Sequence, residues 1–405
     1  MLNITDMEQE QKKLPIFRLA FRPFFLFGSL FSIIALLLWA LFLHNPALFS
    51  INPQLYWQPY GGWLWWHGHE MLFGFSAAII IGFLLTAVQN WSGIPGLSGW
   101  PIVMLFGVWI IGRLLMLFPV IPPVMIALMD TLFIPISAFL LSRPIIAAKL
   151  WRNLMFIPLL LLLAWTNGHS HYRLIGGDAL SLPDTQATIL IVTLIIVVMG
   201  GRVIPFFTSS ATNTTKPQTI FILEALSIGS LGLAILYTLI TAKLGVEPIL
   251  GFLFLVATIA NAIRISRWQT MLTLNNPLLW SLHLSYLLII LSLGLFSAFH
   301  FGLEIPLSAP LHGLTIGGIG LMVLAMISRV SLGHTGRTLQ VGSLITFGYI
   351  ALALSAIVRV IAPLLTSPSS FLYVVSAACW IFGYLAFFII YWPILTKPRA
   401  DGRPG

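Results

Sequence analysis

The residues best suited to chemistry lie in one stretch, Trp63-Leu-Trp-Trp-His67-Gly-His69-Glu70-Met71, where a polar loop becomes a long apolar run. Two histidines, a carboxylate and a thioether fall within five residues there. Such groups are ligands for transition metals. Polar groups at the end of a membrane helix are also costly unless something uses them. The stretch therefore indicates a metal or cofactor site.

Helical geometry separates the two histidines of this stretch. Each residue of an α-helix turns by about 100°, so His67 and His69 would point about 200° apart and could not bind one ion together. Either the helix begins after His69, or the two histidines serve different sites. Glu70 is expected to accept a hydrogen bond from a histidine ring, as partners of metal ligands do. We interpret the neighbouring tryptophans as anchors at the lipid interface, and a lid over an outward-facing pocket is the alternative.

A second pair of histidines occurs in His169-Ser170-His171, directly after Asn167-Gly168. Asn-Gly is typical of a helix end. In an extended chain the side chains of alternate residues point to the same side. His169 and His171 could then bind one copper-like ion together. The alternative is that both are polar residues at the membrane interface.

A further histidine lies about four residues into a later apolar run, in Leu311-His312-Gly-Leu-Thr315. The small residues that follow it are Gly313, Gly317, Gly318 and Gly320. They would let a flat macrocycle, or a second helix, approach closely. Helix packing explains the glycines but not the histidine, so we expect His312 to be a ligand. His283 is either a ligand of a second site or a hydrogen-bonded core histidine.

Charged residues inside apolar runs add two further candidates. Arg113 and Asp130 lie at comparable depth on consecutive runs and are predicted to form an ion pair. A proton route or a contact with a cofactor carboxylate is the alternative. The turn from Arg329 to Arg337 is basic and contains glycine, so its backbone could hold an anion. A helix C-cap that anchors the chain at the cytoplasmic side is the favoured alternative.

Composition decides which elements must position these residues. The chain has 405 residues, of which 59% are hydrophobic and only 8% charged, and its mean hydropathy is +0.99. Soluble domains carry about 25% charged residues, so this chain belongs in a bilayer, and its net charge of +9 does not indicate nucleic acid. The single cysteine, Cys379, excludes a disulfide framework, a cysteine-rich metal site and covalently attached haem.

Apolar runs of roughly 20 residues predict an all-α, polytopic membrane protein with about twelve transmembrane helices. The predicted spans are 23–44, 67–90, 100–118, 123–142, 151–168, 185–206, 219–240, 248–265, 277–298, 308–329, 341–363 and 371–394. We expect a cytoplasmic segment at 1–22, one transmembrane domain at 23–394 and a disordered basic tail at 395–405. Arg-Val occurs at the ends of the sixth and tenth spans, at Arg202 and Arg329, which is weak support for four-helix repeats.

The basic residues predict the orientation. With both termini in the cytoplasm, all but four of the 20 lysines and arginines fall inside, as the positive-inside rule requires. On this topology all but two of the nine histidines lie at the outer side, the exceptions being His283 and His334. The clustering favours a metal or cofactor site near the outer surface.

Several longer motifs run through the chain. They are Phe17-Arg-Leu-Ala-Phe-Arg22-Pro-Phe-Phe25, Trp66-His67-Gly-His69-Glu70-Met-Leu-Phe-Gly74-Phe75, Thr86-Ala-Val-Gln-Asn90-Trp91, Arg202-Val-Ile-Pro-Phe-Phe-Thr208, Pro277-Leu-Leu-Trp-Ser-Leu-His283, and His312-Gly-Leu-Thr315 with Gly333-His334-Thr-Gly-Arg337. Together they resemble the NnrS family of bacterial membrane proteins. The resemblance implies a multi-pass inner-membrane protein that contains haem and copper and is linked to nitric oxide and the relief of nitrosative stress.

Twelve helices with histidines on the second and tenth also look like the catalytic subunit of haem–copper oxidases. Those enzymes carry copper-ligand histidines on helices six and seven, whereas 185–240 contains no histidine here. Copper would have to be bound by other histidines, such as His44, His67, His169 or His171.

These observations give one main hypothesis. His69 and His312 ligate a non-covalent, b-type haem near the outer leaflet, and Glu70 and Asn90 support the ligands. Candidate metal ligands are His67, His69, His169, His171 and His312; further candidate cofactor contacts are His283, Arg329 and Arg337. The expected partners are the lipid bilayer and nitric oxide or a related nitrogen species. An enzyme of this kind would be an oxidoreductase; a non-catalytic nitric oxide sensor and a transporter or channel are the alternatives.

Overall fold

The computed structural model describes residues 12–52, 55–178, 182–242, 245–365 and 370–403. Over these residues the protein is built almost entirely of helices, and eleven of them are long and apolar enough to cross a membrane. The predicted all-α, polytopic membrane architecture is confirmed. Residues 1–11 of the predicted N-terminal segment lie outside the described residues, and the boundaries 1–22, 23–394 and 395–405 stay predictions.

The long helices follow the predicted spans closely. They are α1 Phe21–His44, α2 Gly62–Ser92, α3 Trp100–Leu117, α4 Pro123–Ala147, α5 Phe156–Ile175, α6 Leu182–Thr212, α7 Phe221–Thr241, α8 Pro248–Ser266, α9 Pro277–His300, α10 Ser308–His334, α11 Ser343–Ile361 and α12 Ser370–Thr396. Helix α5 is not among the eleven apolar spans. Its second half carries the polar group Asn167, His169, Ser170 and His171, which lowers its hydropathy.

The loop between α1 and α2 contains a short antiparallel pair of strands, β1 Ser50–Asn52 and β2 Leu55–Tyr56. The aromatic residues after it do not form the lipid-facing belt that the sequence suggested. Trp63, Trp65 and Trp66 are buried and pack with Tyr60 and Met116 in one hydrophobic cluster. The interpretation as interface anchors is therefore wrong for these three tryptophans, because they lie on the first turns of α2 and their rings pack inside the protein.

The described residues divide into two compact units. The first contains α1 to α5 together with 327–339 and 384–405, that is, the ends of α10 and α12. The second contains 182–326 and 340–383, and so α6 to α9, most of α10, α11 and the first half of α12.

Helices α2 and α10 share an irregularity. Each is interrupted by a π-helical segment that begins directly after a histidine, at Glu70–Ser76 after His69 and at Gly313–Gly320 after His312. Their final bonds reach five residues back, from the Ala77 N–H to the Leu72 carbonyl and from the Leu321 N–H to the Ile316 carbonyl. Such segments occur frequently at functional sites.

Burial differs strongly between the helices. The most apolar windows of α2, α6 and α10 are 83%, 78% and 72% buried, whereas the other candidate spans range from 33% to 56%. The three most buried helices are thus every fourth helix of the chain. This spacing agrees with the four-helix repeats suggested by the Arg-Val motifs of α6 and α10.

The tail after α12 is ordered, so the predicted disorder is wrong as far as residue 403. The fully buried Arg22 donates through Nη1 to the carbonyls of Leu395 and Lys397, at 2.9 and 2.8 Å. The Arg399 Nη1 donates to the His334 carbonyl at 2.8 Å. Hydrogen bonds from the same arginine lower the pKa of Asp401. Basic residues hold the tail because the carbonyls at helix ends lack partners within the helix.

Replacing Arg22 with leucine should leave the carbonyls at the end of α12 unsatisfied and lower the melting temperature of the purified protein. Hydrogen bonds to a charged group contribute about 1.5–3 kcal/mol each, so we expect a loss of at least about 2 kcal/mol. Arg143→Leu, at an exposed arginine, is the control and should melt as the wild type does. Equal melting temperatures for the two variants would contradict the clamping role of Arg22.

Candidate metal centre

His69 lies at the end of the first α-helical part of α2 and is only 4% exposed. Its Nδ1 is 3.0 Å from the Glu70 Oε1, so Glu70 contacts a histidine ring as expected. Its Nε2 is 2.8 Å from the Asn167 Oδ1 and 3.4 Å from the Asp130 Oδ2. Both ring nitrogens therefore face polar side chains within the first unit.

His171 reaches the same carboxylate from α5. Its Nε2 is 3.1 Å from the Asp130 Oδ2, and its Nδ1 is 3.4 Å from the Tyr60 hydroxyl. Asn167 precedes it by four residues, so the two side chains share one face of the helix. The Asn167 Nδ2 donates to the Asp130 Oδ2 at 2.9 Å. The Asp130 Oδ2 thus contacts three polar side chains, one from α2 and two from α5.

The arrangement has the dimensions of a metal site. One ligand atom each from His69, Asp130 and His171 can be chosen so that all three lie within 4.8 Å of one another. Ligands at about 2.0–2.2 Å from a tetrahedral ion are separated by about 3.3 Å. The observed nitrogen–oxygen separations of 3.1 and 3.4 Å match that value. Two imidazoles and a carboxylate suit zinc, copper or iron.

Arg113 supplies the positive charge of the cluster. Its guanidinium forms ion pairs with both Glu70 and Asp130, and all three side chains are buried. The predicted Arg113–Asp130 pair is therefore present, extended by a second carboxylate. Gly74 makes room for it, because a Cβ at that position would lie 2.6 Å from the Arg113 Nη1.

The formal charges of the cluster do not cancel. With neutral histidines, the carboxylates of Glu70 and Asp130 outnumber Arg113 by one. A net charge buried in an apolar interior is costly. A bound cation or one additional proton would neutralise it. The Glu70 Oε2 is also buried and has no hydrogen-bond partner among the described residues.

Aromatic rings enclose the histidines. The Trp65 ring stacks on His69 at 4.5 Å between centroids and meets His171 edge-on at 5.4 Å. Phe73 covers His69 on another side at 4.8 Å. Burial raises the pKa of Tyr60, so its phenol stays neutral beside the His171 ring. The walls keep water away and strengthen the electrostatic interactions inside.

The first histidine motif behaves as helical geometry predicts. His67 and His69 are both helical and diverge. His67 stacks on Trp39, with 4.6 Å between the ring centroids and 6° between the planes, whereas His69 belongs to the cluster. The prediction that the two histidines do not share one ion agrees with this geometry.

The second histidine motif does not form the predicted chelating pair. Helix α5 continues through Asn167-Gly168 to Ile175, so the side chains of His169 and His171 diverge. His169 stacks on Trp165 at 4.9 Å, while His171 points into the cluster. The Asn-Gly signal failed because Asp130 binds the side chains of both Asn167 and His171, which share one face only if the helix continues through Gly168.

His283 and His312 lie in the second unit. The ring nitrogens of His283 are each 2.9 Å from a threonine hydroxyl, Nε2 from Thr208 and Nδ1 from Thr270. This favours the interpretation as a hydrogen-bonded core histidine. The His312 Nδ1 lies 2.8 Å from the Ser308 carbonyl and must donate to it. In its neutral form His312 therefore carries its lone pair on Nε2.

The glycines after His312 serve helix packing. A Cβ on Gly313, Gly317 or Gly318 would meet side chains of α9 at 2.3 to 2.9 Å. A Cβ on Gly320 would meet Trp380 of α12 at 2.3 Å. Two occupants were predicted for this surface, a second helix and a macrocycle. The structure places helices there.

The remaining candidates lie elsewhere. The turn after Arg329 is a helix cap: the Arg337 N–H bonds the Leu332 carbonyl at 3.0 Å, and Gly336 has a φ of +71°. The Asp401 carboxylate lies against Gly336, which opposes anion binding. Asn90 is exposed near the other end of α2, about 30 Å along the helix from His69. It cannot support that histidine, and Asn167 is the amide that does.

Two residues of the cluster were not expected as ligands or supports. Asp130 was assigned only to an ion pair, although its second oxygen faces both histidines. Asn167 was interpreted as part of a helix end. The spacing of Asn167 and His171 was the available signal, because polar residues four apart share a face if the helix continues.

Replacing Asp130 with asparagine should destabilise the protein strongly, because it leaves Arg113 with one carboxylate and replaces one of the two acceptor oxygens that serve Arg113, His171 and Asn167 with an NH2 group that cannot accept. Breaking a buried ion pair costs about 3–5 kcal/mol. Thermal unfolding of the purified protein measures the effect. Asp178→Asn removes the carboxylate of a more exposed pair with Arg173 and is the control. If the two variants melt at the same temperature, Asp130 does not organise the cluster.

Comparison with known proteins identifies the family. The family model described as NnrS protein matches residues 15–399, a range that includes α1 to α12 and every residue of the metal cluster. No curated protein matches the chain. Since the match covers almost the whole sequence, the chain belongs to the NnrS family.

Proposed function

We propose that this membrane protein binds a copper ion through His69, His171 and Asp130, and that it acts in the response to nitric oxide. The buried cluster of these three residues is the observation that carries the proposal. The positive-inside distribution of lysine and arginine supports a location in the bacterial inner membrane.

Copper suits the cluster on two grounds. Imidazole ligands are common at copper sites, and the histidine nitrogens converge on one carboxylate oxygen in a dry, aromatic enclosure. A monovalent cuprous ion would also neutralise the single negative charge left by Glu70, Asp130 and Arg113. Zinc is the main competitor for such ligands, and metal analysis distinguishes the two. Copper changes oxidation state readily, as a reaction with a nitrogen oxide requires.

Haem fits the two predicted histidines unequally. His69 does not suit an axial ligand in this arrangement, because Asn167, Asp130 and the rings of Trp65 and Phe73 surround its imidazole, whereas a single ion could lie between its Nε2 and the Asp130 Oδ2. His312 suits one better, because its Nδ1 bond to the Ser308 carbonyl directs the lone pair to Nε2, although a haem there would have to lie away from the glycines that pack against α9 and α12. We therefore propose His312 as the haem ligand and His69 as a copper ligand. A histidine-held haem would supply an iron that binds nitric oxide.

The proposed ligands suit both an enzyme and a non-catalytic nitric oxide sensor. An enzyme with this content would be an oxidoreductase acting on nitric oxide or a related nitrogen species, and such a role would connect it to denitrification and nitrosative stress. Transport is less well supported. Three buried charges of the first unit, Arg113, Glu70 and Asp130, bind one another, which favours a fixed site over a path for ions.

Alanine at His171 should remove copper from the purified protein, because it deletes one of two imidazole ligands. His169→Ala is a matched control on the same helix, two residues away, and should keep the wild-type copper content. Elemental analysis of protein purified from copper-supplemented cells measures both. Equal copper in the two variants would contradict the assignment, and stoichiometric zinc in place of copper would identify a zinc site.

Alanine at His312 should abolish the haem absorption band of the purified protein, whereas alanine at His283 should preserve it because that ring is held by threonines. His69→Ala separates two haem arrangements. Retention of the band in His69→Ala supports the division of roles proposed above, and its loss supports ligation by His69 and His312 together. A full band in His312→Ala would exclude His312 as a haem ligand.

A further inference from the structure

The second unit contains an open pocket that the proposed function does not use. It lies among the end of α6, the connection 213–220, the start of α7 and the end of α8, and its empty space is about 330 Å³ when the open solvent at its mouth is counted. We call it the Arg267 pocket. Its lining residues are Gly201, Pro205, Lys216, Pro217, Gln218, Thr219, Ile220, Leu223, Glu224, Arg264, Arg267 and Trp268.

The floor of the pocket is a rigid, buried arginine. Arg264 is 2% exposed and forms a two-pronged ion pair with Glu224, from Nε at 3.0 Å and from Nη2 at 2.9 Å. Its Nη1 donates to the Asn261 Oδ1 at 2.9 Å and to the Tyr286 hydroxyl at 2.7 Å. Gly201 permits this position, because a Cβ there would lie 1.7 Å from the Arg264 Nη2.

The residues that line the pocket carry a net positive charge. Glu224 is the only acidic residue among the lining residues, all of which belong to the described part of the chain. It neutralises Arg264, which leaves the charges of Lys216 and Arg267 without a counterion in the pocket. The Arg267 Nη2 is anchored on the Gln218 carbonyl at 2.9 Å, so its guanidinium is held at the edge of the cavity.

Three further features indicate the chemistry of a ligand. The pocket wall is apolar at Pro205, Leu223 and Trp268. Beside it, Phe221 and Ile222 are 84% and 66% exposed, as expected of residues that face lipid. The N-cap of α7, Ile220, offers no capping side chain. The ligand therefore combines an anionic group with an apolar neighbour.

We propose that the Arg267 pocket binds a phosphate group through Lys216 and Arg267, as carried by the headgroup of an anionic phospholipid or by a free phosphate. Arginine recognises phosphate oxygens with paired hydrogen bonds. Basic pockets between membrane helices are suited to anionic headgroups. The Arg264–Glu224 pair acts as a preformed floor that does not itself need a ligand to be neutral.

The double variant Lys216→Gln/Arg267→Gln tests the proposal. Detergent-purified full-length protein is titrated with phosphatidylglycerol, with phosphatidylcholine and with inorganic phosphate at constant ionic strength, and thermal stabilisation gives the affinity. Each basic residue near an anionic headgroup contributes about a fivefold gain in binding, so the double variant should bind phosphatidylglycerol about 25-fold more weakly. Arg143→Gln/Arg152→Gln removes the same charge at exposed positions and should bind as the wild type does.

The three titrations identify the source of the phosphate. Stabilisation by phosphatidylglycerol alone, lost in the double variant, assigns the site to a lipid headgroup. Stabilisation by inorganic phosphate with the same dependence on Lys216 and Arg267 assigns it to a soluble phosphate. Equal behaviour of the pocket variant and the control variant, or no stabilisation of the wild type by any of the three, would overturn the proposal.

Discussion

The first unit depends on one interaction, the placement of the Arg113 guanidinium between Glu70 and Asp130. A charge buried in an apolar interior must find its partners within the protein. Because those partners come from α2 and α4, the arginine of α3 determines how the three helices face one another. Asp130, once held by Arg113, presents its other oxygen to His171 and Asn167 of α5. The candidate metal centre is in this sense a consequence of the ion pair.

The second unit uses the same device with different residues. Arg264 is buried against Gly201, as Arg113 is buried against Gly74. In both cases the absence of a Cβ on a glycine of a long, strongly buried helix leaves room for a guanidinium. The partners differ in number. Arg113 faces two buried carboxylates and leaves a negative charge, while Arg264 faces the partly exposed Glu224 and leaves none.

Much of the fold could be predicted from the sequence because the bilayer permits few solutions. Apolar runs gave all twelve helices, and matching depth gave the Arg113–Asp130 pair. The wrong predictions share a cause. Contacts with residues distant in the sequence determined the structure there, against the local sequence pattern. Asp130 keeps α5 helical past Gly168, and Arg22 orders a tail that looks disordered. No local pattern reveals that Asp130 faces two histidines, because that depends on how three helices pack.

The π-helical segments after His69 and His312 make the length of these helices as important as their composition. A π-helical segment accommodates one more residue than the α-helix would, so it offsets the two ends of the helix by about 100°. Loss of a single residue from Glu70–Ser76 would rotate His69 away from Asp130 while the distant half of α2 stayed in place. The number of residues in the segment thus determines the orientation of the His69 side chain.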